Sequence, residues 1–232
     1  MRVFIIGGSG RTGSLAVDEA IRRGHSVVAL VRKPDSLTAR EGLTTIIGSP
    51  LSPADVDAAF ARATAETSPP LDAVILALNA RRVSDSPFAA PSPDTPPTML
   101  ADAAKHAVAA MERHGVRKLV VMSAQGTGSS RAGLNLLLRF MFAHSNMRFQ
   151  MDDHDKMDAF VREAAARDGT IDYVLVRPAM LTDGEAKEVK LQGETGSGAG
   201  FLPQISRKSV AKFMVEATES KEWDGTAQVV TN

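Results

Sequence analysis

Short apolar runs alternate with helical patterns along this chain. The wholly apolar run at 73–77 is typical of a strand buried on both faces, as in a parallel sheet. Apolar runs predict strands at 3–6, 27–31, 43–47, 73–77, 118–122, 172–176 and 227–231, with a short strand at 188–191. Helical patterns predict helices at 14–23, 99–114, 134–147, 152–167 and 206–220, and another that begins after Ser52. This alternation, without internal repeats, predicts an α/β fold with a doubly wound, mostly parallel sheet.

Glycines stand where the first predicted strand meets the first predicted helix. Gly8-x-Gly10-x-x-Gly13 fits the general dinucleotide-binding fingerprint, and Gly7-x-x-Gly10-x-x-Gly13 fits its short-chain dehydrogenase variant. Glycine permits a sharp turn and lets the main chain approach a pyrophosphate, and the N-terminus of the following helix favours phosphate charge. In its strand–turn–helix context the pattern predicts a Rossmann-type, NAD(P)-binding fold. The alternative is an ordinary strand-to-helix turn, because turns are rich in glycine.

The end of the second predicted strand bears on the choice of dinucleotide. A protein that prefers NAD usually has an acidic residue there for the ribose 2′-hydroxyl, whereas a basic residue suits the 2′-phosphate of NADP. This chain has Arg32 and Lys33 at that point, and no acid before Asp35. The planar guanidinium of Arg32 can grip a phosphate, with Lys33 and Arg11 assisting. The sequence therefore predicts NADP (NADPH) as the cofactor, the alternative being a solvated basic pair.

Composition and charge exclude several classes of function. Lysine plus arginine and aspartate plus glutamate each total 27, so the net charge is zero and predicts neither a nucleic-acid nor a membrane partner. The absence of cysteine excludes disulfides, thiol catalysis and thiolate metal sites, and the five histidines show no metal-ligand spacing. No apolar run reaches membrane-spanning length, and the first strand begins at once. We therefore expect a cytoplasmic protein without a cleavable signal, acting on a small-molecule substrate.

Two stretches depart from the regular alternation. Residues 84–97 hold five prolines and predict a loop that neither pairs nor coils. This loop should lie beside the cofactor, either as a lid or as a neutral insertion. Residues 134–147 form the most apolar helical pattern in the chain. They fit a lid over an apolar substrate pocket, a core helix, or a helix on a membrane surface.

The ends of the strands supply the candidate site residues. In a doubly wound sheet, ligands bind at the carboxyl ends of the strands, near the point where strand order reverses. The length suits one domain, 1–232, with a small substrate-side region toward the C-terminus. The predicted cofactor-binding residues are Gly7, Gly8, Gly10, Arg11, Thr12, Gly13, Arg32, Lys33, Leu78, Asn79, Ser123 and Pro178. The predicted substrate-pocket residues are Arg81, Gln125, Phe142, His154 and Met180.

Two side chains are candidates for catalysis. Ser123, directly after the fifth strand, is predicted to donate its hydroxyl to a substrate carbonyl or to the nicotinamide, the alternative being a simple turn serine. A typical short-chain dehydrogenase would add Tyr-x-x-x-Lys on the next helix, but Tyr173 lies in a predicted strand without a lysine four residues later. His154 is the candidate proton donor because histidine titrates near neutral pH, the alternative being a surface histidine. No Gly-x-Ser-x-Gly surrounds Ser123, so a hydrolase is not supported.

Several segments together resemble a known family. They are Gly-Gly-Ser-Gly-Arg-Thr-Gly at 7–13 and the segments 31–32, 122–124, 153–154, 177–178 and 205–208, with 109–116 and 223–225 also in register. Nearly end to end, the chain resembles atypical short-chain dehydrogenases of the NmrA-like group, and within it the biliverdin IXβ reductase (flavin reductase) family. The resemblance implies a monomeric NADPH-dependent reductase that passes hydride to a flavin or a linear tetrapyrrole. It also implies that Thr12, Arg32 and Lys33 hold phosphates, that Ser123 faces the nicotinamide and that His154 borders the substrate pocket.

The chain departs from that family at three points. Ser49-Pro50 stands in place of an aspartate near the adenine, Met180 in place of a pocket histidine, and the segments 84–97 and 134–147 are longer. We expect cofactor binding to survive these changes, whereas substrate identity does not transfer. The sequence thus predicts an NADPH-dependent oxidoreductase that transfers hydride to a flavin, quinone or tetrapyrrole-like acceptor. The alternatives are an NADP-binding redox sensor without turnover, or an isomerase or epimerase on the same scaffold.

Overall fold

Strands and helices alternate along the chain, as the sequence predicts. A computed structural model describes residues 1–65, 69–84 and 86–232. The strands are β1 (Arg2–Ile6), β2 (Ser26–Val31), β3 (Leu43–Ile47), β4 (Ala73–Leu76), β5 (Lys118–Met122), β6 (Asp172–Pro178), β7 (Met180–Thr182), β8 (Lys190–Leu191), β9 (Gln204–Ser206) and β10 (Thr226–Thr231). The helices are α1 (Gly13–Arg22), α2 (Pro53–Ala63), α3 (Met99–His114), α4 (Leu136–His144), α5 (Met147–Asp168) and α6 (Arg207–Glu219), with a 3-10 helix at Gly128–Arg131.

Eight strands form the central sheet, in the order β3-β2-β1-β4-β5-β6-β10-β8. All neighbours pair in parallel except β8, which pairs antiparallel with β10. At the centre, Ile5 of β1 lies opposite Ala29 of β2 on one side and Ile75 of β4 on the other. The predicted doubly wound, mostly parallel sheet is therefore confirmed. Strand order reverses beside β1, so a crevice is expected at the carboxyl ends of β1 and β4.

Apolar layers cover both faces of this sheet. Phe4, Phe60 and Met111 belong to the layer formed with α2, α3 and α5. Ile5 and Met214 belong to the opposite layer, formed with α1 and α6. Successive side chains of a strand point to opposite faces, so Phe4 and Ile5 anchor the same strand in both layers. Burial on both sides explains why β1 and β4 are almost wholly apolar.

The helix predicted at 134–147 is interrupted in the structure. Ser145 has an extended conformation with φ −121° and ψ 174°, which ends α4, and α5 begins at Met147. None of the residues of α4 is buried, and Leu136 and Phe140 are 81% and 62% exposed. The core alternative for this stretch is therefore wrong, while the lid and membrane-surface alternatives stay predictions. No helix among the described residues is long and apolar enough to cross a bilayer.

The prediction that residues 84–97 do not pair is also wrong. Arg82 forms an antiparallel bridge with Pro91. The Val83 N–H donates to the Ala90 carbonyl at 3.0 Å, and the Ser92 N–H donates to the Arg81 carbonyl at 2.9 Å. Proline is tolerated here because the bridge uses the carbonyls and N–H groups of the residues around it. The segment thus folds back on itself, although Asp85 lies outside the described residues.

The sequence pattern missed a second, small sheet. β7 pairs in parallel with β9, with Leu181 opposite Ile205. Each strand has only three residues, too few for an alternating pattern to stand out. Arg207 follows β9 directly and opens α6, whose N-cap is the Ser206 side chain. This small sheet brings Leu181 and Arg207 toward the carboxyl edge of the central sheet.

Candidate functional site

A cleft of about 460 Å³ lies at the carboxyl ends of the central strands. Eight predicted site residues line it, namely Gly7, Gly10, Arg11, Thr12, Arg32, Leu78, Asn79 and Arg81. Ser84, Ser92 and Asp94 of the proline-rich segment also line it, so that segment does lie beside the cleft. The cleft thus lies at the strand ends from which the candidate residues were taken.

The glycine turn presents main chain rather than side chains to this cleft. Gly7 has a φ of +91°, and a Cβ atom there would lie 2.5 Å from the Ala77 carbonyl oxygen. A Cβ atom on Gly13 would lie 2.0 Å from the Gly7 carbonyl oxygen. The Gly10 N–H donates to that same carbonyl at 2.9 Å. Such a turn leaves space for a pyrophosphate against the backbone, which is the cradle that a dinucleotide requires.

The N-terminus of α1 faces the same cleft. Thr12 is the N-cap residue, is 5% exposed and lines the cleft, yet its side chain does not cap the helix. By contrast, the side chains of Ser52, Asn135 and Ser206 cap α2, α4 and α6. The first turn of α1 contains no acidic residue that would compete with an anion. The helix terminus is thus suited to bind a phosphate group.

The end of β2 supplies a cation to the cleft. Arg32 lines it, with Ser49 and Pro50 from the segment after β3 nearby. Lys33 does not line the cleft, so its predicted contact with the cofactor is not seen in this arrangement. Among the described residues that line the cleft, Asp94 is the one carboxylate, and it follows β4 rather than β2. The end of β2 thus presents a basic side chain, and not a carboxylate, to the cleft.

Ser123 belongs to a buried polar network. Its hydroxyl donates to Asp158 Oδ1 at 2.8 Å, and Arg177 donates from Nε and Nη2 to Asp158 Oδ2 at 3.1 and 2.7 Å. All three residues are at least 95% buried. Burial raises the pKa of Asp158, and the Arg177 guanidinium opposes that rise. Because its proton is directed at the carboxylate, Ser123 can offer only oxygen lone pairs to a ligand, which corrects the prediction that it donates.

His154 does not reach the cleft. Its ring lies in the interior with 2% of the residue exposed, and Nδ1 has no hydrogen-bond partner. Burial lowers its pKa from 6.5 to about 4, because the charged imidazolium would lose its hydration. The ring is therefore neutral at neutral pH. Both the predicted position of His154 at the pocket and its predicted role as proton donor are at odds with this arrangement.

The neighbouring Asp153 has a structural task. Its carboxylate accepts hydrogen bonds from the N–H groups of Leu100 and Ala101, at 2.8 and 3.1 Å. These N–H groups lie in the first turn of α3, whose own N-cap Thr98 makes no side-chain cap. A carboxylate at a helix N-terminus satisfies donors and complements the helix dipole. Asp153 thereby holds α5 against the start of α3, where Met99 lines the cleft.

The structure places the other predicted residues outside the lining of the cleft. Strand alternation explains two of them, because Met122 lines it in place of Ser123, and Leu181 in place of Met180. Gly8 packs toward Val17 and Ala29. The remaining predicted residues that do not line the cleft are Gly13, Lys33, Gln125, Phe142, His154 and Pro178. Phe142 lies instead over Gly126, where a Cβ atom would be 2.8 Å from its ring.

Sequence reasoning missed several residues that do line the cleft. They include Met99, Met122, Gln150, Leu181 and Arg207. Met122 precedes a residue that we singled out, so the alternation of β5 carried a usable signal. Arg207 lies in the segment 205–208, which entered the sequence analysis only through the family resemblance. Its position at the cleft depends on β9, a strand that the sequence pattern did not predict. Among the described residues, no three metal-ligating side chains come together.

Known proteins resemble the chain over nearly its whole length. Residues 7–221 match the family described as NAD(P)H-binding. Reductase pytE of Aspergillus terreus is 23% identical, over 99% of this chain and 97% of its own. The structure of ChuY from Escherichia coli O157:H7, described as an anaerobillin reductase, matches with a TM-score of 0.74 and 16% identity, over 100% of this chain and 97% of its own. A short-chain dehydrogenase/reductase of Veillonella parvula in complex with NADP gives a TM-score of 0.74 and 16% identity, over 100% and 94%.

Proposed function

The chain belongs to the NAD(P)H-binding family, and from that premise we propose that it is an NADPH-dependent oxidoreductase. The acceptor is a flavin, a quinone or a tetrapyrrole-like compound. Similarity to Reductase pytE and to the anaerobillin reductase ChuY supports reduction as the reaction. The proposal includes the finer kinship with NmrA-like proteins and the biliverdin IXβ reductase family, and a monomer in the cytoplasm.

One observation carries the choice of cofactor. The glycine turn, the uncapped start of α1 and Arg32 all border one cleft, and no acid follows β2 directly. The turn and the helix start suit the pyrophosphate, and Arg32 suits the 2′-phosphate. A related structure in complex with NADP is consistent with this choice. Lys33 does not line the cleft and is left out of the proposed binding set.

An exposed apolar surface formed by α4 and the loop before β9 supports an apolar acceptor. Leu136, Leu137 and Phe140 of α4 are more than half exposed, as is Phe201. The Asn135 amide donates to the Phe201 carbonyl, which joins α4 to the loop before β9. Exposed apolar side chains that are held together in this way mark a binding surface more often than isolated ones do. A planar, largely apolar acceptor has matching chemistry.

Catalysis in this proposal depends on position more than on acid–base groups. NADPH, when bound, supplies the hydride. The turn, α1 and Met122 fix the cofactor, and the apolar surface orients the acceptor beside it, so that the reaction becomes effectively unimolecular. The Ser123 hydroxyl donates to Asp158, and His154 is buried and neutral, so neither side chain supplies a proton to the acceptor. Solvent therefore supplies the proton, which flavins and quinones accept readily once reduced.

Steady-state oxidation of NADPH tests this function. The purified protein is mixed with NADPH and, separately, with flavin mononucleotide, riboflavin and a set of soluble quinones, and absorbance at the nicotinamide band is followed. We expect turnover with at least one flavin or quinone, and a higher kcat/KM with NADPH than with NADH. Inertness toward every acceptor, in protein shown to bind NADPH, would refute the reductase proposal.

The preference for NADPH should depend on Arg32. In Arg32→Asp the 2′-phosphate loses a charge-assisted contact and meets a carboxylate, so we expect the Kd for NADPH to rise about thirtyfold. The Kd for NADH should stay within about threefold, since it has no 2′-phosphate. Titration calorimetry measures both constants. Lys33→Asp makes the same charge change one residue along and should have a much smaller effect. Equal losses for both nucleotides in Arg32→Asp would remove Arg32 from the 2′-phosphate site.

A second function, an NADP-binding redox sensor without turnover, has its own supporting observation. Ser123 is engaged by Asp158 and His154 is buried, so neither candidate catalytic side chain faces the cleft. Tight NADP binding together with the inertness described above would favour this function. Nothing in the site favours the isomerase or epimerase alternative.

A further inference from the structure

A buried arginine, Arg207, lines the cleft, and the proposed phosphate contacts of the cofactor do not involve it. Arg207 lines the cleft and is 8% exposed. Its Nη1 donates to Asp183 Oδ1, and the Asp183 side chain is 77% exposed. No other side-chain hydrogen bond of Arg207 is made within the described residues. A guanidinium has five N–H donors, so most of the binding capacity of this group is available to a ligand.

Arg207 approaches the cleft from the side of β5 and β6, away from Arg32. The cleft extends from Arg32, after β2, to Met122 at the end of β5, which is three strand spacings or about 14 Å. Arg207 enters beside Leu181 from the small sheet, and its helix packs on β4, β5 and β6. In a doubly wound sheet this half holds the nicotinamide, whereas β2 belongs to the adenosine half. Arg207 therefore stands where a hydride acceptor would sit.

Cations line the cleft at more than one strand end. Arg32 follows β2, whereas Arg81 follows β4 and Arg207 enters beside Leu181. A pyrophosphate and a 2′-phosphate occupy the α1 and Arg32 end. A partly dehydrated cation at the other end attracts a second anion more strongly than a solvated one would. Arg81, which is exposed after β4, adds to the positive potential there.

We infer that Arg207 binds an anionic group, a carboxylate or a phosphate, on the acceptor. The inference rests on the proposed function, since it assigns the acceptor of that reaction to a narrower class. The acceptor is then amphipathic. Its planar apolar part lies against Met122 and Leu181, which line the cleft with Arg207, and its anionic substituent reaches the guanidinium. Arg207 is thus a specificity-determining residue, and neutral acceptors with the same ring should bind less well.

Two flavins that differ by one phosphate test this. The protein is first saturated with NADP⁺, so that neither flavin can enter the cofactor phosphate sites, and flavin fluorescence is followed during titration with flavin mononucleotide or riboflavin. We expect flavin mononucleotide to bind about tenfold more tightly than riboflavin. Arg207→Gln should bring its affinity down to that of riboflavin and leave riboflavin unchanged. Arg207→Lys should restore part of the difference, because it keeps the charge but loses the planar fork.

The variant Asp183→Asn tests whether the Arg207 guanidinium itself, and not its ion pair with Asp183, determines the preference for flavin mononucleotide. It removes the negative charge beside Arg207 but keeps the guanidinium, so the preference for flavin mononucleotide should be kept or increased. The inference is overturned if the two flavins bind alike to the wild type, or if Arg207→Gln weakens both flavins equally. It is also overturned if Arg207→Gln weakens NADP⁺ instead, which would assign Arg207 to the cofactor. A preference that disappears in Arg207→Gln without any NADPH oxidation would uphold the anion site and refute the reductase activity.

Discussion

Gly13→Ala should reduce NADPH affinity on the order of 100-fold. The added methyl group would lie 2.0 Å from the Gly7 carbonyl oxygen, and 3.1 Å from the Gly8 Cα atom. These neighbours are main-chain atoms that no side-chain rotation can move. The turn must therefore open, which shifts the start of α1 away from the pyrophosphate, and displacements near 1 Å are enough for losses of this size. Crowding in the interior should also lower the free energy of unfolding by about 1–3 kcal/mol.

Titration calorimetry gives the affinity, and denaturation by urea gives the stability. Gly184→Ala is the matched control, since its Cβ atom would meet nothing closer than Thr182 Oγ1 at 4.0 Å. Both properties should stay at wild-type values in that variant. A Gly13→Ala protein that binds NADPH normally would show that the close packing of the turn is not what forms the phosphate site.

Asp158→Ala should lower the free energy of unfolding by about 3–5 kcal/mol. The substitution leaves the Arg177 guanidinium buried, with 1% of the residue exposed and its Asp158 partner removed. It also removes the acceptor of the Ser123 hydroxyl. A buried charge without its partner costs far more than the pair contributes, because the desolvation of the charge is no longer compensated.

An exposed pair of the same kind provides the comparison. Arg117 and Asp172 form an ion pair at 3.3 Å with side chains 57% and 42% exposed. Asp172→Ala should cost less than 1 kcal/mol, since water screens that pair. Urea denaturation at neutral pH measures both variants. Equal losses from the two substitutions would mean that Arg177 finds other partners, for example Ser129, whose hydroxyl it already contacts.

The sheet could be predicted from the sequence because its strands are buried on both faces. Runs such as 73–76 are then wholly apolar and differ plainly from the helices between them. β7 and β9 escaped prediction, since three-residue strands stabilised by a distant partner leave no periodic signal. The exposure of α4 could not be predicted either, because its apolar pattern is strong but misleading. Its composition matches a core helix, and only the packed structure shows that Leu136, Leu137 and Phe140 stay exposed.

The candidate site was predictable to the extent that chemistry follows strand ends. The glycine turn, Arg32 and Arg81 lie at such ends, and all border the cleft. Ser123 was chosen for its hydroxyl group, although the alternation of side chains along β5 makes its neighbour Met122 face the cleft. His154 was chosen for its titration behaviour, which depends on burial that the sequence does not reveal. The position of Arg207 at the cleft could not be predicted, because it depends on the pairing of β7 with β9.

The pairing of α1 with α6 has a consequence for how the protein reaches its native state. Arg23, just after α1, contacts Glu219 of α6 at 2.5 Å, and the two residues are 196 positions apart. Contacts of such separation carry a large loop-closure entropy and slow the folding reaction. During synthesis the phosphate-binding turn leaves the ribosome early, whereas α6, which packs beside α1, leaves late. We therefore expect the nucleotide pocket to be among the last parts of the protein to become rigid.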